Sequence, residues 1–166
     1  MPRFSEPQRV RVDSLKSDPA TAPKSDETLL QLIHEAVEGK VPVYVAIVPL
    51  VGCRQFDLDY GPETHPAIAA AIEATVQQLS ELDSGQLRPP PAMLVYPRGQ
   101  WFVVSDDYPT LFAYLRSEWT YVAAVVLGRP EGEGVEIVRG PLSAEEAKAA
   151  IFGGMVQESP SGPAVN

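Results

Sequence analysis

The chain has 166 residues, 45% of them hydrophobic and 21% charged, with 13 Lys and Arg against 22 Asp and Glu for a formal net charge of −9. That length suits one domain with a real core, and the balance is ordinary for a soluble globular protein. A single cysteine, Cys53, excludes an internal disulfide and metal motifs of the paired-cysteine type.

The charge is unevenly spread. Residues 1–26 hold five basic and four acidic side chains, a net of +1; residues 27–166 hold eight and eighteen, a net of −10. A folded part this acidic disfavours DNA and RNA, whose phosphates supply most non-specific affinity, and it disfavours anionic membrane surfaces. The longest apolar run, residues 41–52, is too short to span a bilayer and contains Pro42 and Pro49. The opening MPRFSEPQRVRVDSL lacks the apolar core of a signal peptide, so a cytoplasmic location is expected.

Residues 1–25 are rich in Pro, Ser, Asp and Lys and read as a flexible segment, with alternation at residues 9–13 suited to a short edge strand. A first helix is expected from Asp26 to Glu38, because Leu29, Leu32, Ile33, Ala36 and Val37 recur at helical spacing between an Asp cap and a Gly stop. Val41–Leu50 reads as a strand covered on both faces. A loop follows from Gly52 to Glu63, with a short strand at Gln55–Leu58. A second helix spans His65–Asp83, capped by Thr64 and striped with Ile68, Ala71, Ile72, Thr75, Val76, Leu79 and Leu82, and ends at Ser84-Gly85. After three prolines, Ala92–Tyr96 and Gln100–Val104 flank Pro97-Arg98-Gly99 as a hairpin. A third helix is expected at Asp107–Ser117, with Leu111, Phe112 and Leu115 on one face. Then come strands at Tyr121–Leu127 and Val135–Val138, and a last helix started by the capping box Ser143-Ala144-Glu145-Glu146 and ending near Gly153. Residues 26–155 thus form one α/β (α+β) domain, a small mixed sheet with helices packed on it, ahead of a disordered tail at 156–166.

The candidate chemistry centres on Ser105-Asp106-Asp107-Tyr108-Pro109, where a strand hands over to a helix. Asp106 and Asp107 suit a hard cation such as magnesium, and Ser105 and Tyr108 join them as candidate ligand-binding residues. The plainer reading is helix capping: Asp at the N-cap accepts backbone N–H bonds, and Pro fits the first turn. Tyr108, Tyr114, Trp119 and Tyr121, with Trp101 and Phe102, make either an aromatic ledge for a base or core packing; Trp101 and Phe112 are assigned to the core. Arg54 beside Cys53 would favour a thiolate, but no His lies nearby. His34 reads as a boundary residue and His65 as a surface one. No Ser-His-Asp set and no glycine-rich phosphate loop is present.

The pieces VPVYVAIVPL, IAAAIEATVQQL, RPPPAMLVYPRGQWFVVSDDYPTLFAYL and TYVAAVVLG, over residues 41–128, resemble the ParB/sulfiredoxin-like superfamily in element order. The resemblance implies a functional turn at residues 105–109. There the family carries Gly-Gly-Cys-His-Arg or Gly-Glu-Arg-Arg, whose basic side chains grip nucleotide phosphates; this chain has Ser-Asp-Asp-Tyr-Pro. The nucleophilic Cys and the phosphate-binding Arg are both missing, and residues 129–155 are too few for the helix-turn-helix domain of ParB partition proteins. The expectation is therefore a non-catalytic regulatory or adaptor protein acting on a protein partner. The alternative is a divalent-metal-dependent nuclease or nucleoside triphosphatase using the Asp106/Asp107 turn, with magnesium as the cofactor if it is an enzyme.

Overall fold

The computed structural model describes residues 24–83 and 90–156. The expectations for residues 1–23, for a strand at 9–13, for the helix stop at Ser84-Gly85 and for the tail from 157 lie outside the described residues.

Among the described residues, twelve short elements give an α/β fold around one mixed six-stranded sheet. Helix α1 is Glu27–Val37, and Asp26 caps it by accepting from the Thr28 and Leu29 amides; Gly39, at φ +82°, lets the chain turn away. Strand β1 (Val43–Pro49) runs into a 3-10 turn at Leu50–Gly52 and then β2 (Cys53–Gln55). A 3-10 turn at Pro66–Ile68 leads into α2 (Ala69–Asp83). Strands β3 (Met93–Arg98) and β4 (Trp101–Val104) form the hairpin, followed by α3 (Tyr108–Arg116) and β5 (Tyr121–Leu127). Strand β6 (Glu136–Arg139) and helix α4 (Ala144–Val156) complete the order.

The strands lie in the order β2-β4-β3-β5-β1-β6. Pairings β1·β5, β1·β6 and β3·β4 are antiparallel; β2·β4 and β3·β5 are parallel. Successive side chains on a strand alternate faces, so one strand feeds two cores. On β5, Val122, Ala124 and Val126 join Ala46, Val48, Met93, Val95, Phe102 and Val104 under Ile68, Ile72 and Leu79 of the α2 region and Leu111 of α3. Val125 and Leu127 point the other way, to Val43, Tyr96 and Val103 beneath Leu29 and Ala36 of α1 and Ala147 of α4. Helices therefore cover both faces, which is why β1 and β5 are almost uninterruptedly apolar.

Several boundaries differ from expectation for local reasons. The short strand after β1 is Cys53–Gln55 rather than residues 55–58, because only these three residues pair with β4. Thr64 does not cap α2; its hydroxyl bonds back to the Asp59 carbonyl at 2.7 Å, and a 3-10 turn precedes the helix. The hairpin turn is Gly99-Gln100, since Arg98 pairs with Trp101, and Gly99 takes φ +62° as a two-residue turn requires. Leu115, expected on the buried face of α3, is 48% exposed. The last helix runs through Val156, past the Gly153 stop and into the first residue of the expected tail. Its capping box is formed in both directions, Glu146 N to Ser143 Oγ at 3.1 Å and Ser143 N to Glu146 Oε1 at 2.9 Å.

Candidate functional site

Strand β4 ends at Val104 and delivers Ser105 into the interior, 5% exposed, facing Asp26 at the head of α1. Asp26 is itself 5% exposed. One of its oxygens takes the Thr28 and Leu29 amides; the other takes the Ser105 hydroxyl and, at 2.8 Å, the Tyr96 hydroxyl from β3. One carboxylate thus ties a helix N-terminus to two sheet strands, and hydrogen bonds to an ionised acceptor are the stronger kind.

Asp107 is 9% exposed and stands at the N-cap position of α3, but its side chain makes no capping bond. Its Oδ2 instead accepts the Leu94 amide of β3 at 2.7 Å. The simple cap expected here is thereby corrected: Asp107 pins the helix start sideways to the sheet. Asp106 is half-buried. Among the described residues no group of three or more His, Cys, Asp or Glu is gathered as for a metal.

Tyr108 is fully buried, so of the two readings left open for it the core one describes its place. Its hydroxyl accepts the Asp57 amide at 2.9 Å, and its ring lies 5.1 Å from that of Tyr60. Asp57, also buried, accepts the Lys24 amide at 2.9 Å and so fixes the chain just ahead of α1, within the stretch expected to be flexible. The other aromatic residues scatter rather than forming a shelf. Tyr114 is buried and bonds the Pro91 carbonyl at 2.5 Å, Trp119 packs edge-on against it, and Tyr121 is exposed. Phe112 is half-buried against the core, whereas half-buried Trp101 carries the Arg54 guanidinium 3.7 Å above its ring.

Cys53 is buried, with Sγ 3.7 Å from the Pro49 carbonyl. Burial pushes its thiol up to about 11 and outweighs neighbouring Arg54, whose guanidinium donates to the Val51 and Cys53 carbonyls. His34 is well exposed beside Glu38, further out than a boundary residue; His65 is half-buried against the Tyr60 ring rather than fully at the surface.

Burial also raises two tyrosines. Tyr108 is pushed up to about 12 by desolvation, and Tyr96 to about 12 by desolvation and then by its bond to Asp26. These groups, with Cys53, are acids held neutral in the fold. The unfolded chain loses those protons at ordinary values, so their stabilising contribution is full below about pH 9 and is lost as pH rises through the folded values. The urea midpoint should therefore be flat near neutrality and fall steadily from about pH 9 to 12, with a shallower fall in Tyr108→Phe. A midpoint unchanged across that range would contradict this account.

Two depressions open among the described residues around α3. A cavity of about 530 Å³ is bounded by the 58–64 loop, Ile72 of α2 and Phe112, Leu115 and Arg116 of α3. A second of about 420 Å³ is bounded by Leu50, Val51, Arg54, Leu111, Leu115 and Trp119, among others. Gln55, Leu58 and Leu115 line both, so the two adjoin as a trough with these three side chains at the join. Val51 is 78% and Leu58 76% exposed along it. Sequence reading missed this feature. Leu58 between two aspartates and Val51 after Pro-Leu were the available signals, but an isolated apolar loop residue is common on any surface.

No family model matches the chain, and no curated protein matches it. No helix among the described residues is long and apolar enough to cross a membrane.

Proposed function

We propose that this chain is a non-catalytic, ParB-like regulatory or adaptor module that works by binding another protein through the trough beside α3. The observation that carries the reading is that exposed Leu58 and Leu115 line both adjoining depressions and exposed Val51 lines the second. Apolar side chains gathered in a concave surface mark interaction sites more often than scattered ones do. The sequence of β1, α2, the β3–β4 hairpin, α3 and β5 supports the ParB-like part of the reading, since it follows the element order of that superfamily.

The polar corner supports the non-catalytic part. Asp26 accepts from Ser105 across the join of α1 to the sheet while capping α1, and Asp107 accepts the Leu94 amide of β3. On this reading the protein works in the cytoplasm on a protein partner, its acidic surface repelling nucleic acid.

The test is recovery of a stoichiometric partner on the full chain, compared with the Leu58→Ser/Leu115→Ser double variant. Both side chains are exposed, so the variant should unfold at the wild-type temperature while losing the partner. Steady nucleotide turnover by the pure protein, removed by Asp106→Asn/Asp107→Asn, would instead establish the hydrolase reading.

A further inference from the structure

We infer that the trough takes a cationic segment of another protein, one that sets large apolar side chains against Leu58 and Leu115 and lays Lys or Arg across the rim. The inference rests on the binding-module reading and narrows it to one partner chemistry.

Charge at the rim decides the sign. Asp59 and Glu63 are both exposed there, and no basic side chain among the described residues is paired with either. The two lining arginines are already engaged: Arg116 pairs with Glu73, and Arg54 bonds two backbone carbonyls and covers Trp101. Arg54 keeps its positive charge at the end it lines, but at the end bounded by Asp59 and Glu63, where Arg116 is neutralised by Glu73, the uncompensated charge is negative, within a chain of net −9. A complementary partner is cationic, and attraction of this kind also speeds encounter.

Two other occupants fit less well. A second copy of this chain brings its own −9, so like charge opposes self-association at low salt. A partner strand adding to the outer edge of β2 would meet the Arg54 guanidinium, which lies against the Val51 and Cys53 carbonyls there. Guarding an edge with a charged side chain is a common way to stop strand addition. Recognition therefore runs through side chains in the trough.

Trp119 lines the trough and supplies the readout. Three synthetic peptides would be titrated into the full-length Trp101→Phe protein, whose remaining tryptophan is Trp119. One combines Lys with two Leu; the second has Glu for each Lys; the third has Ser for each Leu. The Lys–Leu peptide should change Trp119 emission saturably and weaken with salt, and the other two should not bind. Leu58→Ser/Leu115→Ser should weaken binding about tenfold or more, and Asp59→Asn/Glu63→Gln about threefold to tenfold. Equal binding of the Lys and Glu peptides, no binding of the Lys peptide, or indifference to the leucine pair would overturn the inference. A natural partner that is lost with the leucine pair but retained by Asp59→Asn/Glu63→Gln would also overturn it, while leaving the binding-module reading standing.

Discussion

Asp26→Ala is expected to be the most damaging single change in the polar interior, lowering stability by about 3–5 kcal/mol. An exposed helix cap would cost only about 1 kcal/mol. Here the same carboxylate also receives the Tyr96 and Ser105 hydroxyls, and both would be left buried without their acceptor. At roughly 2–4 °C per kcal/mol for a chain of this size, the melting temperature should fall by about 6–20 °C. Asp26→Asn retains a good cap but not the charge, so its loss should be smaller. A double-mutant cycle with Tyr96→Phe separates the two roles: strong non-additivity shows that Asp26 joins α1 to the sheet. A loss of only about 1 kcal/mol in Asp26→Ala would show that capping is its whole contribution.

Asp107→Ala should cost about 1.5–3 kcal/mol, because it strands the Leu94 amide of β3 next to a buried helix start. Asp107→Asn, which can still present an oxygen to that amide, should retain most of the stability. The same variants probe the cation reading. A cation bound only by the native state would add about 2.7 kcal/mol at a hundred times its dissociation constant. Thermal melts with excess magnesium or manganese should instead superimpose on those without, for wild type and variants alike. A metal-dependent rise in wild type that disappears in Asp107→Ala would return Asp106 and Asp107 to a metal-binding role.

The layered fold was readable in the chain because its periods are clean. The α1 stripe around Leu29 and Ala36 and the unbroken Tyr121–Leu127 run each admit one packing solution, helix on sheet and strand between helices. The site was less legible. SDDYP was identified as a corner of interest, but neither partner of its outer residues is local. Ser105 reaches a residue 79 positions earlier, and Asp107 one 13 positions earlier. Capping propensity ranks an Asp for its own helix and says nothing of a neighbouring strand's amide, so Asp107 looked like a cap and proved to be a strut. Leu115 fell the other way: its spacing with Leu111 matches a core stripe, yet it opens onto the depressions beside α3.

The three-residue link Leu50–Gly52 carries a geometric constraint. It joins β1 to β2, which stand four strand spacings apart in the sheet, about 19 Å if the sheet were flat. Four residue steps reach at most about 14 Å. Yet the Cys53 sulfur lies 3.7 Å from the Pro49 carbonyl, so the ends meet with slack to spare. The sheet must bend into an arc, and this link is the chord that closes it. Leu50 and Val51 on the chord and Gln55 just beyond it are also walls of the trough. The curvature of the whole sheet therefore sets the width of the depression, and a longer chord would let the arc relax and the trough widen without touching any residue that lines its floor.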